Sequence, residues 1–323
     1  EDFELETVWN SQIKPKDFEK LNNFFWLFSL DLKSSKKSVK RVITNWITNN
    51  SHFKKESWEF DMTAKRIISC LSNHQLTYDD NDKEYRSIFD HMIQKQTNHL
   101  LNEIKNSKDL ENKIIGCTAI ILTGLCYKIN KNYLEIGLSF LKKITVSSID
   151  NQGFTRSRNI KQLIFFLKYF VLIREWFKEA QVEVPDHIEE NIYYFGQGYA
   201  FIRQNIATDL LFNGNNNSNT YDLDNYLKRL GYKFKNENKD YGGYIILKNK
   251  KICLAMDAGS SPNSKYTHDY QSGALSFEII SNGKKLVTNC GYHKKNNQNL
   301  NEISKSSAVH STLIIDNNSS CKF

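Results

Sequence analysis

Apolar residues recur at helical spacing from Phe18 to about Arg203, and the pattern shortens to strand-like runs after about Ala207. Val39, Val42, Ile43, Trp46 and Ile47 form one apolar stripe, and Ile67, Ile68 and Leu71 belong to another. Further helices are predicted over 88–104, 114–127, 134–144, 160–177 and 187–203. Short polar connectors such as Lys105-Asn106-Ser107-Lys108-Asp109 and Asn130-Lys131-Asn132 separate several of them. Helices joined this way pack as antiparallel hairpins. The prolines, Pro15, Pro185 and Pro262, all fall outside these runs, so none interrupts a helix.

Asn213-Gly214-Asn215-Asn216-Asn217-Ser218-Asn219 is polar and turn-rich, and it predicts a linker without a core. Strands are predicted beyond it at 244–247, 252–256, 275–280, 285–288 and 312–315. Turns are expected at Gly242-Gly243, Asp257-Ala258-Gly259 and Ser281-Asn282-Gly283. No internal repeat is visible. The expected class is two-domain α+β, with a helical domain over 1–206 and an antiparallel β-sheet domain over 207–323 that is incomplete. Glu1 is not a start methionine and Phe323 falls in a strand-like region, so a piece of a longer polypeptide is expected.

At 323 residues the chain can hold two domains with their own cores. A hydrophobic content of 40% excludes a disordered chain. The longest apolar block, 163–173, is cut by Lys168 and ended by Arg174, well short of the roughly 20 residues of a membrane span. The net charge of +8 suits an acidic partner, although Lys and Asn are abundant along the whole chain. No basic run is joined to a nucleic-acid motif, so no nucleic-acid partner is expected. The six cysteines show no Cys-x-x-Cys spacing, which indicates neither a zinc knuckle nor a disulfide framework.

Several short motifs follow one another in a fixed order. Trp46-Ile47-Thr48-Asn49-Asn50 is followed by Trp58, by Arg66-Ile67 and by Thr97-Asn98-His99-Leu100-Leu101. Phe212-Asn213-Gly214, Leu275-Ser276-Phe277-Glu278, Val287-Thr288-Asn289-Cys290-Gly291 and His310 come after them. In this order they resemble the heparinase II/III family of polysaccharide lyases. That family's motifs read Trp-Ile-x-x-Asn, Trp, Arg-Ile, Gly-Asn-His-Leu-Leu and, in zinc-containing members, His-x-His-x-Asp-x-Leu-Ser-Phe, Val-x-Asp-x-Gly and Ala-His-Asn-Thr. The resemblance implies an (α/α) toroid packed on an antiparallel β-sandwich, an acidic polysaccharide partner, and a periplasmic or cell-envelope location.

Such lyases act by β-elimination, which needs three things: a neutralised sugar carboxylate, a base for the adjacent carbon-bound proton, and an acid for the leaving oxygen. One well-placed donor stabilises the developing charge by roughly 2.7–4 kcal/mol. The resemblance gives this role to Asn98 and His99, whose other reading is a solvated helix face.

The chain departs from the family at several positions. The family's catalytic Tyr has no counterpart in Asp150-Asn151-Gln152-Gly153-Phe154-Thr155-Arg156-Ser157-Arg158-Asn159. Arg156 and Arg158 are candidates there for gripping a sugar carboxylate, or else solvated loop charges. Asp269 stands at the motif's first, catalytic His, Gln271 at its zinc-ligand His, Gly273 at its Asp and Asn289 at the ligand Asp. Neutral amides are poor zinc ligands, so neither a metal nor another cofactor is expected.

His268 and Tyr270 flank the replaced position, and either could act as acid or base. The candidate catalytic groups are therefore Asn98, His99, His268 and His310, with Arg156, Arg158, Tyr270 and Gln271 as substrate-binding candidates. The rival expectation is a non-catalytic polysaccharide-binding or cell-envelope biosynthesis protein on the same fold.

Overall fold

The computed structural model describes residue 9 and residues 14–79, 81–127, 132–203, 206, 208–216, 221–293 and 298–321. Its packing separates two compact units, Glu1–Ile144 with Glu175–Glu183, and Thr145–Arg174 with Val184–Phe323.

The first unit is helical. It contains α1 (Pro15–Asn22), α2 (Leu32–Asn49), α3 (Phe60–Ser72), the single turn α4 (His74–Thr77), α5 (Lys83–Glu103) and α6 (Leu110–Cys126). It also holds most of α7 (Tyr133–Ser148) and the last turn of α8 (Ile160–Glu179). The starts are chemically marked. Pro15 opens α1, where its missing N–H costs nothing. Carboxylates of Glu59, Asp82 and Asp109 accept first-turn N–H groups of α3, α5 and α6.

The stripe predicted in α2 is the buried one: Val39, Ile43 and Trp46 are almost fully shielded. Arg66 of α3 is also fully buried, with its ring-facing guanidinium 4.1 Å from the Trp46 ring centre. It donates to the Asn22 and Ser57 carbonyls, to Gln96 Oε1 and to Thr63 Oγ1, at 2.7 to 3.2 Å. Burial lowers its pKa to about 9, so it is still charged at neutral pH.

The second unit holds the rest of α7 and α8, then α9 (Asp186–Arg203), α10 (Tyr221–Arg229), a sheet, and α11 (Gln298–Lys305). The sheet is a meander of β1 (Asp240–Tyr241), β2 (Tyr244–Lys248), β3 (Ile252–Asp257), β4 (Phe277–Ser281) and β5 (Lys284–Val287), antiparallel throughout and in sequential order. Asn282 and Gly283, both at positive φ, make the Asn-Gly turn between β4 and β5.

Three expectations need correction. The 312–315 run is no strand; it makes only an isolated bridge at Ile315, and its apolar side chains are exposed. The strand expected from 275 starts at Phe277, because Leu275 adopts positive φ and Ser276 closes a turn onto the Gly273 carbonyl. The Asn-rich segment is not wholly coreless, since Asn213 and Asn215 are buried. Residues 217–219 of that segment, and 130 and 131 of the predicted connector, lie outside the described residues.

Candidate functional site

Asn98 and His99 belong to the first unit, and Arg156, Arg158, His268, Tyr270, Gln271 and His310 to the second.

In the first unit the motif residues brace one another. Asn50, just past the C-terminal end of α2, donates to the Trp46 carbonyl at 3.0 Å and accepts from the Ser57 hydroxyl at 2.7 Å. Trp58 Nε1 donates to the Asn50 carbonyl at 3.2 Å. The loop between α2 and α3 is thus fixed, and with it the Trp58 carbonyl, which lies 2.9 Å from His99 Nε2. A carbonyl only accepts, so Nε2 carries the hydrogen and Nδ1 of the neutral ring carries the lone pair. The His99 ring also packs edge-on against Trp58 and beside Phe53, with centroids 5.6 and 5.4 Å away. Asn98 Oδ1 accepts from the Tyr133 hydroxyl at 3.0 Å, which orients the amide.

Tyr133 is a residue that motif reading passes over. It sits at the start of α7, 35 residues from Asn98 in sequence, so only the folded chain brings the two together. It is 2% exposed, and burial raises its pKa.

In the second unit Arg158 is a buried structural group. At positive φ, it donates to Asp257 at 2.5 Å, to the Gly243 carbonyl at 2.8 Å and to the Ser260 carbonyl at 3.1 Å. Asp257 also accepts from Asn213 Nδ2 at 2.7 Å. A Cβ at Gly259 would come within 2.5 Å of the Arg158 guanidinium carbon, which explains glycine at that turn. Arg156, by contrast, is exposed.

Tyr270 is 3% exposed, with its hydroxyl 3.4 Å from Ser261 Oγ. Gln271 is 1% exposed and fully engaged. Its Nε2 donates to the Ser304 carbonyl at 2.7 Å and to the Gly291 carbonyl at 3.1 Å, while its Oε1 accepts from Gly214 N at 3.2 Å.

His310 Nε2 lies 3.0 Å from the same Ser304 carbonyl, so it too carries its hydrogen on Nε2. Burial lowers the His310 pKa below its ordinary value. Buried Asn289 accepts from Ser311 N at 3.1 Å. Two of the three metal-ligand positions, Gln271 and His310, thus present N–H donors to the Ser304 carbonyl, and the third, Asn289, presents a carboxamide whose buried Nδ2 has no hydrogen-bond partner among the described residues. That donor set does not fit zinc, which needs lone pairs from thiolate, imidazole or carboxylate. Among the described residues no cluster of three or more His, Cys, Asp or Glu side chains stands close enough to hold a metal ion.

Asp269, at the motif's catalytic His position, accepts from His268 Nδ1 at 2.7 Å and from Asn159 Nδ2 at 3.4 Å. Tyr292 also hydrogen-bonds it, and burial raises the Tyr292 pKa to about 12. His268 itself is well exposed.

Comparison with known proteins places this architecture. Residues 236–323 match the family model described as heparinase II/III-like, C-terminal. The resemblance read from the motifs is therefore to the family whose C-terminal domain this segment matches. Among solved structures, the fold is similar to a crystal structure of heparinase III, with a TM-score of 0.76, 16% identity, and coverage of 96% of this chain and 57% of that one. It is also similar to heparan sulfate lyase HepC from Pedobacter heparinus, with a TM-score of 0.70, 13% identity, and coverage of 99% and 56%. The chain spans a little over half the length of these structures. No curated protein sequence matches it significantly. The fold class is α+β, a helical (α/α) toroid domain followed by the antiparallel sheet of a heparinase-type β-sandwich. No helix among the described residues is long and apolar enough to cross a membrane.

Proposed function

We propose that this protein acts on an acidic, uronic-acid polysaccharide by β-elimination, in the periplasm or cell envelope. The observation that carries the reading is the pair Asn98 and His99. They are adjacent on α5, and each is oriented by a bond from another element, Tyr133 for the amide and the Trp58 carbonyl for the imidazole.

In the reaction, a base removes the proton from the sugar carbon next to the carboxylate. The freed electron pair forms the carbon–carbon double bond, and the glycosidic oxygen leaves with a proton. The intermediate places extra negative charge on the carboxylate, and the amide N–H of Asn98 is the donor type that stabilises it. The lone pair on His99 Nδ1 suits it to accept the proton. His268, oriented by Asp269, and His310 are the catalytic candidates within the second unit. Heparinase III and a heparan sulfate lyase share the fold, which supports the substrate class.

The test is ultraviolet absorbance of the unsaturated uronate across a panel of uronic-acid polysaccharides. Wild-type chain should produce it with at least one member, and Asn98→Ala should lower turnover far more than substrate affinity. No absorbance with any member, combined with retained polysaccharide binding, would favour the second reading of a non-catalytic binder. The observation behind that alternative is Asp269 at the family's catalytic His position, with Gln271 and Asn289 committed to internal hydrogen bonds.

A further inference from the structure

Helix α5 carries His91, Lys95 and His99 at four-residue spacing, so the three share one face over about 12 Å of helix. Next to the first two opens a cavity of about 400 Å³ between α5, the end of α2 and the loop that follows it. Its lining is mainly apolar, with Trp46, Ile47, Trp58, Ile88 and Met92, of which Trp46 has no exposed surface and Trp58 and Met92 no more than 5%. Its rim carries His52, His91 and Lys95, and no Asp or Glu lines it.

Lys95 is held in place by donating to the Ser51 carbonyl at 2.5 Å, and its ammonium lies 5.9 Å from the Trp58 ring centre. One bond to Ser51 leaves two of the three ammonium hydrogens for another partner. Beside the cavity, Phe53 is 62% exposed yet packs against both Trp58 and His99. An exposed aromatic ring joined to a cavity wall on one side and to a candidate catalytic group on the other extends a single surface.

We infer that this cavity is a subsite for one acidic sugar unit of the polysaccharide, next to the unit that meets Asn98 and His99. The inference rests on the proposed function and names where a neighbouring unit of the chain binds. A pyranose ring has a face of C–H groups that packs on aromatic rings, and its carboxylate or sulfate groups project from the ring edge. An apolar lining with Trp58 and the neighbouring Phe53 ring, and a rim that holds the Lys95 ammonium, two imidazoles and no carboxylate, matches both features at once. A neutral sugar would use the apolar lining but leave the rim unmatched. Free inorganic anions would use the rim but leave the apolar lining bare.

The experiment is calorimetric titration of the whole chain with a heparan sulfate tetrasaccharide, with its carboxyl-reduced, desulfated and N-acetylated neutral form, and with inorganic sulfate. Two variants accompany the wild type: Lys95→Gln, and Ile88→Trp, which fills the cavity mouth. Lys95 and Ile88 are both exposed, so both variants should unfold at the wild-type temperature. The acidic tetrasaccharide should bind wild type with a salt-dependent Kd. Lys95→Gln should weaken it about fivefold or more and flatten the salt dependence, and Ile88→Trp should weaken it further. The neutral form and inorganic sulfate should bind weakly to all three proteins.

If both variants bind the acidic tetrasaccharide as wild type does, the subsite is overturned, while loss of turnover in Asn98→Ala still stands for the lyase reading. Equal binding of the neutral form would also overturn it, by removing the role of the rim. Competition by inorganic sulfate at equal affinity would reduce the cavity to a simple anion site. If wild type binds no uronic-acid oligosaccharide, the subsite and the proposed function fail together.

Discussion

Replacing Arg158 with Met tests whether this guanidinium is a structural group or a substrate-binding one. Met keeps much of the side-chain volume but removes the charge and its hydrogen bonds. What remains is Asp257, a carboxylate with 1% side-chain exposure that keeps only the Asn213 amide and the Gly259 N–H. The Ser260 carbonyl loses its side-chain donor as well, and the Gly243 carbonyl keeps only the Ala258 N–H. Removing one partner of a buried ion pair costs about 3–5 kcal/mol, since the other charge is stranded. For a unit of this size each kcal/mol moves the unfolding midpoint by about 2–4 °C, so a fall of roughly 6–20 °C is expected. Calorimetry is the assay, with urea unfolding to confirm that the m-value is unchanged. The double variant Arg158→Met with Asp257→Asn should recover part of the loss, because the stranded charge is gone. Arg158→Met that melts with the wild type yet loses oligosaccharide affinity tenfold would refute the reasoning and return Arg158 to the substrate.

Four further outcomes are expected. Tyr133→Phe should cost about 1 kcal/mol in stability and lower lyase turnover roughly 10- to 100-fold with little change in KM, by releasing the Asn98 amide. Glu278→Ala should lose about 3–5 kcal/mol in urea unfolding, because Lys285, Thr288 and the N–H groups of Leu211 and Asn289 all lose their shared acceptor. Elemental analysis should find far less than one zinc per chain; about one zinc, lost in His310→Ala, would contradict the donor-set argument. His310 has a depressed folded pKa through burial, against opposing pulls from its Ser304 bond and from Asp257 and Glu278. Its contribution is therefore present above the ordinary value of 6.5 and is lost as the pH falls from there through the folded value. His310→Gln should flatten that decline in a series of melts.

Much of the helical part was legible because its signal is periodic. The stripe from Val39 to Trp46 is buried as the 3.6-residue pattern requires, and the predicted 187–203 helix is observed as Asp186–Arg203. The meander was legible from alternation and from the Asn-Gly and Gly-Gly turns. Short elements escaped, since α10, α11 and the two-residue β1 carry too few positions for a period to emerge.

Site residues were legible as types but not as environments. Composition cannot show that the Arg158 charge is answered by a carboxylate 99 residues away, or that Tyr133 faces Asn98. Asn213 looked like linker because an isolated Asn in a polar run usually is one. Its burial depends on Asp257 and Tyr244, which come much later in the chain.

The replacements at the family's metal positions form a coherent set when their partners are considered together. A lone ligand-position carboxylate left without its metal would be a buried, unpaired charge, costing several kcal/mol. An amide removes that charge and carries both donors and an acceptor; Gln271 uses all of these, whereas buried Asn289 uses its oxygen and leaves Nδ2 without a partner among the described residues. Gln271 bonds in three directions, joining Gly214, Gly291 and Ser304, so it supplies the cross-link between distant segments that a metal ion otherwise provides. Asn289 holds the backbone at Ser311, next to His310, whose own N–H meets the carbonyl that Gln271 already uses. Returning Gln271 to the family's His would leave a neutral ring with one N–H and one lone pair in place of the two donors and one acceptor that Gln271 uses, so that single change would loosen the cross-link.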